Sequence, residues 1–314
     1  MKHSVKITIL LLIMFFMAQL IGLGVVSIYS PQITQGIDEN GNIINVTSYN
    51  IPYGMEPPQG LDPGENLISI VIAIIIAISA MFILMKFGAT ILLRLWFFIV
   101  IVLALGLALN ALLLGVKYSS LIALIVALPL AFIKVFKKNI FVHNATELFI
   151  YPGIAAIFVP LLNIWTVCAL LVLISLYDMY AVWKAGFMQK MAKYQIKTLK
   201  IFSGFFIPYL GNKERDLIRE ARRSNSKKLR NKKLKVNVAI LGGGDIVFPI
   251  ILAGVVLNTL GFFPALIISI GATLALAYLF YISEKGKFYP AMPFITIGCF
   301  IALALAYLIY NLFQ

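Results

Sequence analysis

Two aspartates lie inside apolar stretches of this 314-residue chain, and their carboxyl groups are the candidates for acid–base chemistry there. Asp245 stands in the run Leu241-Gly-Gly-Gly-Asp-Ile-Val-Phe-Pro249, and Asp178 stands in Ser175-Leu-Tyr-Asp-Met-Tyr180. An ionised carboxylate in lipid is costly, so an acid retained there indicates a functional site. We interpret the two acids as a pair.

A pair of carboxylates at one depth suits acid–base catalysis. Asp178 lies six residues before Lys184 and Asp245 lies ten after Lys235. At about 1.5 Å per helical residue, both would therefore lie roughly 9 to 15 Å inside the ends of their spans. Two carboxylates in a low dielectric cannot readily both ionise, so they would share a proton. The ionised member could then take a proton from a water that attacks a peptide carbonyl, while the protonated member donates to the carbonyl oxygen.

The backbone around Asp245 is predicted to be open. In a helix, the three glycines Gly242, Gly243 and Gly244 would leave one side bare and weaken the helix by roughly 1 kcal/mol each. Pro249 has no N–H to offer the carbonyl of Asp245. An extended substrate or water could bind the freed groups, although three glycines could also serve helix packing alone.

A third interruption lies in Tyr289-Pro-Ala-Met-Pro293. A proline at a helix start is well tolerated, which is one interpretation of this stretch. The other is that two prolines three residues apart leave backbone groups unpaired near the depth of the acids, where a bound strand could use them.

Composition predicts the elements that must position these residues. The chain is 61% hydrophobic and 12% charged with mean hydropathy +0.98, whereas a soluble domain has about twice that share of charge. Apolar stretches of about 20 residues predict an all-α polytopic membrane protein and not a barrel. We expect nine spans, at residues 1–30, 67–85, 95–115, 119–136, 147–160, 163–183, 236–257, 262–282 and 288–313.

Basic residues cluster in alternate loops, which predicts the orientation by the positive-inside rule. Residues 184–235 hold 16 Lys and Arg against Glu214, Asp216 and Glu220, a net +13 of the chain's +14. This segment should face the cytoplasm and contact anionic lipids, and we favour lipid over nucleic acid as its partner. The first part of this segment is expected to be an amphipathic helix on the membrane, and residues 212–235 are expected to be disordered. Residues 201–210, between them, are too short to span the membrane and could dip into the bilayer or cover the site. The chain thus divides into an N-terminal membrane part (1–183), a basic loop (184–235) and a C-terminal membrane part (236–314).

Three short motifs resemble those of the presenilin and signal peptide peptidase family of intramembrane aspartyl proteases. Tyr177-Asp178 in the sixth span, Gly242-Gly-Gly-Asp245 in the seventh and Pro290-Ala-Met292 at the start of the ninth are similar to the Y-D, G-x-G-D and P-A-L motifs. The likeness follows the order of the spans over nearly the whole chain. It is nearest to a compact prokaryotic, archaeal-type presenilin, with Met292 where the family usually has leucine.

The resemblance implies a nine-span GxGD protease fold and an activity. Asp178 and Asp245 would be the catalytic dyad, with no metal or cofactor. The substrate-binding residues would be Tyr177, Gly242, Gly243, Gly244, Pro290, Ala291 and Met292. The substrates would be single-span membrane proteins, cleaved by a multi-pass protein of the cell membrane with its N-terminus in the cytoplasm and its C-terminus outside. A homo-oligomer stays open, as does autoproteolysis of the basic loop.

Other interpretations compete with this one. A proton-coupled transporter could use the same two carboxylates, and a prepilin-type peptidase also carries G-x-G-D. Cys168 and Cys299 lack metal-ligand spacing, and His143 is expected to be an ordinary interfacial side chain. Asn45 begins a glycosylation sequon, which can be used only if its loop is extracytoplasmic.

Overall fold

Membrane-length helices make up most of the computed structural model, which describes residues 5–37, 43–57, 62–137, 139–183, 203–210, 236–284 and 289–312. Within these ranges nine helices are long and apolar enough to cross a membrane, as predicted. They are α1 (Val5–Ile28), α2 (Pro63–Lys86), α3 (Thr90–Leu112), α4 (Ser119–Phe136), α5 (Ile140–Phe158), α6 (Ile164–Trp183), α7 (Gly243–Leu260), α8 (Phe262–Ile282) and α9 (Met292–Leu312). A 3₁₀ turn, Val159–Leu161, extends α5.

Two antiparallel hairpins, which the sequence did not predict, accompany the helices. In the first, β1 (Gln32–Ile37) pairs with β2 (Ile43–Ser48), and Asn45 belongs to this β2 strand. In the second, β3 (Gly204–Leu210) pairs with β4 (Val236–Gly242), with Gly204 opposite Gly242. The stretch 201–210 therefore contains a strand. The amphipathic helix and the disorder expected in the rest of the basic loop fall outside the described residues.

The seventh span begins later than predicted. The sequence placed its start at residue 236, but residues Val236–Gly242 form β4 and α7 begins at Gly243. Alternating β-branched residues, Val236 and Val238, suit a strand when a partner is available, and β3 supplies that partner. The glycines are consequently divided between the strand end and the first turn of the helix.

The fifth span begins at Ile140, earlier than the predicted residue 147. Asn139 caps this start, because its side-chain oxygen accepts hydrogen bonds from the backbone N–H groups of Phe141 (3.0 Å) and Val142 (3.2 Å). The first turns of α5 carry polar side chains that interrupt the apolar pattern. These side chains face neighbouring elements and do not mark the end of the span.

Helix α7 lies at the centre of the core, where Ile246, Ile250 and Val256 are fully buried. It packs against α1, α5 and α8. Small residues allow other helices to approach closely: a Cβ added to Gly271 of α8 would lie 2.9 Å from the carbonyl oxygen of Gly298 in α9. By contrast, α2 buries few of its residues within the described structure.

Candidate active site

Asp178 lies near the end of α6, with 6% of its surface exposed. Its Oδ2 accepts a hydrogen bond of 3.1 Å from the backbone N–H of Met292, and the backbone of Ala291 also interacts with the carboxyl group. Met292 is the first residue of α9, and the first N–H groups of a helix have no partner within the helix. The start of α9 therefore stabilises a negative charge on Asp178.

Asp245 lies in the first turn of α7, three residues after the N-cap Gly242. The Asp245 carboxyl group reaches back to the backbone of Gly242, in the manner of an acid at the third position of a helix. A Cβ added to Gly242 would lie 3.1 Å from Asp245 Oδ2, so glycine at this position leaves room for the carboxyl group. This acid is half-buried.

The two carboxyl groups are close enough to interact electrostatically, although they are 67 positions apart in the sequence. Contact between α6 and α7 brings them together. The structure thus places the two acids singled out from the sequence as neighbours on adjacent helices.

The three glycines before Asp245 have different surroundings. Gly242 ends β4, and Gly243 is buried against the ring and hydroxyl of Tyr151. Gly244 is exposed, and a Cβ added to it would meet no atom nearer than 3.7 Å. Of the three, Gly244 is the most exposed, and its backbone is the one that another chain could approach most freely from outside.

The remaining predicted site residues lie around Asp178. Tyr177 precedes it on α6 and is 44% exposed. Pro290 is buried, Ala291 is partly buried, and Met292 points its side chain into the core while its N–H contacts Asp178. The Tyr177-Asp178 motif and the Pro290-Ala-Met292 motif therefore meet at the carboxyl group of Asp178.

Gln19 of α1 forms a hydrogen bond next to Asp245, and this residue was not identified from the sequence. It is fully buried, and its Nε2 donates a hydrogen bond of 3.1 Å to the carbonyl of Ile246, the residue after Asp245. An amide in the middle of an apolar span was the available signal, because such a group needs a partner within the protein.

The β3 strand is fixed to α5 by polar contacts that the sequence also did not reveal. Asn144 Nδ2 donates to the carbonyl of Phe206 at 2.9 Å, and the Phe206 N–H donates to Asn144 Oδ1 at 3.0 Å. The His143 Nε2 lies 2.9 Å from the carbonyl oxygen of Gly204. His143 is thus not the ordinary interfacial side chain that was expected, because it joins two elements of the fold.

Among the described residues, no group of three or more His, Cys, Asp or Glu side chains is placed to hold a metal ion. What the site offers is two neighbouring carboxyl groups, one bonded by the start of α9 and the other just after the end of β4.

The sequence and the fold both match known proteins. The family described as signal-peptide peptidase, presenilin aspartyl protease matches residues 49–312. Among solved structures, a presenilin family intramembrane aspartate protease is similar over 96% of this chain and 99% of its own, with a TM-score of 0.60 and 17% sequence identity. A second crystal form with the same description covers 95% of this chain and 96% of its own, with a TM-score of 0.58 and 17% identity. A comparison with curated proteins finds no match.

Proposed function

This chain belongs to the signal-peptide peptidase and presenilin family of aspartyl proteases, and we propose that Asp178 and Asp245 are the pair through which it hydrolyses peptide bonds. The chain is an intramembrane aspartyl protease by its family. The observation that supports this choice of residues is the packing of α6 against α7, which puts the two carboxyl groups within electrostatic range of each other.

The pair works by sharing one proton. The ionised carboxylate removes a proton from a water molecule as it attacks the peptide carbonyl, and the protonated carboxyl group donates a hydrogen bond to the carbonyl oxygen. The carbon–nitrogen bond then breaks, and the amine takes the proton that the base received. The N–H of Met292 holds Asp178 in place and favours its charged form.

The substrates we propose are single-span membrane proteins whose helix unwinds locally at the site. We assign contact with the extended substrate backbone to Tyr177, Gly244, Pro290 and Ala291, which lie beside the two acids in the sequence motifs. Within the described residues β4 pairs with β3 alone, so its other edge presents backbone groups beside the dyad. An extended substrate could add to that edge by backbone hydrogen bonds, which Gly242 would not obstruct.

The placement in the membrane is part of the proposal. We place the chain in the cell membrane with its N-terminus in the cytoplasm and its C-terminus outside, since the basic loops alternate along the chain. The loop 184–235 then lies beside anionic lipids. Cross-linking in vesicles would test whether the working unit is a homo-oligomer.

The test uses substitutions that keep the shape of the side chain. Asp178→Asn and Asp245→Asn, each in the full chain reconstituted in vesicles, should abolish cleavage of a single-span substrate, with Asp62→Asn at the exposed N-cap of α2 as the matched control. Mass spectrometry of the fragments shows both the activity and the cleavage position. Cleavage at the wild-type rate by either dyad variant would overturn the assignment.

The pH dependence of the rate tests the shared proton. A bell-shaped profile is expected because one acid must be ionised and the other protonated. A rate that stays flat from acid to alkaline pH would contradict it. Family membership does not favour the proton-coupled transporter, and proton uptake into the same vesicles without proteolysis would be needed to support that alternative.

A further inference from the structure

One face of α5 carries three polar residues at every fourth position, namely His143, Glu147 and Tyr151. Lys134 of α4 forms an ion pair with Glu147 Oε1, and the two side chains are only 2% and 1% exposed. Unpaired charges are rarely buried so completely, so the pair has a structural role. None of these four residues takes part in the hydrolysis described above.

Hydrogen-bond geometry defines the tautomer of His143. The Lys134 Nζ lies 3.3 Å from His143 Nδ1, and an ammonium group can only donate. Nδ1 therefore accepts, and Nε2 carries the hydrogen that is donated to the carbonyl of Gly204 at 2.9 Å. Gly204 has φ +132, a conformation that favours glycine, so the start of β3 is held in a defined shape by a neutral histidine.

Tyr151 connects this cluster to the residues before Asp245. Its side chain is 2% exposed, its ring meets Phe205 of β3 edge-on, and its hydroxyl lies 3.4 Å from Ser203 Oγ. The hydroxyl also interacts electrostatically with Glu147. Tyr151 thus packs its ring against β3, while its hydroxyl faces both Ser203 and the Glu147 carboxylate of the ion pair.

The tyrosine also occupies the space that a side chain at position 243 would need. A Cβ added to Gly243 would lie 2.7 Å from the Tyr151 hydroxyl, 2.8 Å from its Cε1 and 2.8 Å from Ser203 Oγ. Contacts this short force something to move. The residue between the two outer glycines of the G-x-G-D motif therefore has no room for a side chain here, because Tyr151 and the Ser203 hydroxyl pack against it.

We propose that Tyr151, held by Lys134, His143 and Glu147, is a positioning residue for Asp245. It seats Gly243, the first residue of α7, against β3 and so fixes the helix turn from which Asp245 extends. The inference rests on the proposed role of Asp245 in catalysis. Displacing a catalytic group by about 1 Å can lower a rate on the order of 100-fold, so small shifts at Gly243 should be visible in kcat.

The first experiment removes one oxygen atom. In the full chain in vesicles, Tyr151→Phe should lower kcat about fivefold, the effect of losing one buried hydrogen bond, and leave KM unchanged. Tyr281→Phe, at an exposed position near the end of α8, is the matched control and should not change kcat. A role in folding alone would lower the amount of active enzyme and not the kcat of the active fraction, which titration with a tight-binding inhibitor measures.

The second experiment tests the contact itself by rescue. Gly243→Ala should lower kcat by about tenfold or more, because the new Cβ pushes against Tyr151. Gly243→Ala combined with Tyr151→Leu should cleave faster than Gly243→Ala alone, since leucine removes two of the three atoms that crowd the new methyl group and leaves only Ser203 Oγ. Gly24→Ala in α1, where a Cβ meets no atom within 4 Å, is the control for adding a methyl group to a helix.

The outcomes separate this inference from the proposed function. If Asp178→Asn and Asp245→Asn are inactive but Tyr151→Phe keeps the kcat of the control and Tyr151→Leu gives no rescue, the positioning role is refuted and the dyad stands. Activity retained by the Asp variants would refute the dyad first. If Tyr151→Phe does not fold, the comparison of Gly243→Ala with the double variant decides the question by itself.

Discussion

A buried hydrogen bond ties α6 to α9 close to Asp178, and breaking it should affect both stability and catalysis. The Ser175 and Thr296 hydroxyl groups lie 2.8 Å apart, and the two residues are 7% and 5% exposed. Ser175 is one helical turn before Asp178, and Thr296 is one turn after Met292. The two helices are therefore joined at two successive levels, by the hydroxyl pair and by the Met292 N–H.

The two single substitutions together should cost more than the double one. Ser175→Ala or Thr296→Val leaves one buried hydroxyl without its partner and should lower the free energy of unfolding by about 1–3 kcal/mol. The double variant leaves no hydroxyl unpaired and should cost no more than the larger single effect, so the coupling energy should equal or exceed the smaller single loss. Measured couplings between membrane helices reach about 1.7 kcal/mol, and we therefore expect a coupling energy of about 1–1.7 kcal/mol.

The assay combines unfolding in detergent with kinetics on a single-span substrate. Each single variant should lower kcat. The decrease would be about tenfold if the displacement of Asp178 raised the activation free energy by 1.4 kcal/mol. Thr273→Val is the matched control, because within the described residues the Thr273 hydroxyl bonds to the carbonyl of Ser269 in its own helix at 2.7 Å and to no other helix. Additive losses in the double variant, or kcat values equal to that of Thr273→Val, would refute the reasoning.

Three further predictions follow from other contacts. Lys134→Met leaves the buried Glu147 carboxylate without its cation and should lower the free energy of unfolding by about 3–5 kcal/mol. Adding Glu147→Leu to this variant should restore most of the lost stability. Denaturant unfolding measures both variants, and equal stability of the single and the double variant would contradict the prediction. Gly153→Ala should cost about 1–3 kcal/mol because its Cβ would overlap the backbone of α3, whereas Gly24→Ala should be neutral or gain up to about 1 kcal/mol; the same unfolding assay distinguishes them. Burial raises the pKa of Tyr53 to about 12 from 10.0, so its hydrogen bond to a carbonyl at the start of α4 should stabilise the fold fully below pH 10 and be lost as the pH rises towards 12. Tyr53→Phe should remove this alkaline transition when thermal stability is measured over a series of pH values. If the transition persists in Tyr53→Phe, it belongs to another group.

The nine spans and the meeting of the two acids were predictable because each depends on a local signal. An apolar run of membrane length fixes a helix regardless of its partners. Asp178 and Asp245 stand out because each is an acid in such a run, and the order of the spans brings their ends to one side of the membrane. The choice of these residues as catalytic stays a proposal, as do the substrate-binding residues and the division of the chain at 184 and 235.

The hairpin of β3 and β4 could not be predicted from local sequence. Its strands pair across more than 20 intervening residues, and Val236–Gly242 is apolar enough to pass for the start of a membrane helix. Pro208 within β3 argued against a strand, because proline has no N–H to donate. In a two-stranded sheet each strand is an edge, so the missing donor can point away from the partner.

The polar residues on one face of α5, His143, Glu147 and Tyr151, were visible in the sequence, but they were not interpreted as part of a membrane helix. His143 and Glu147 interrupt an apolar pattern, and the span was predicted to begin only at 147. Their four-residue spacing, continued by Tyr151, places all three on one face of a helix. A stripe of this kind in a membrane segment needs partners inside the protein, and Lys134 and Gly204 supply them.

The contact between Asp178 and α9 goes through the backbone, and this explains why a methionine can stand where the family usually has leucine. The N–H of Met292 donates to the carboxyl group, whereas its side chain is 3% exposed in the core. The side chain acts on the site only through packing, and an exchange of leucine and methionine conserves volume at a cost below about 1.5 kcal/mol. The N–H is available because α9 begins at this residue, with the carbonyl of Ala291 already accepting the N–H of Ile295 at 3.1 Å. What the third motif specifies near Asp178 is therefore the position at which a helix starts, and Pro290 contributes by disfavouring a helical conformation of the residue before it.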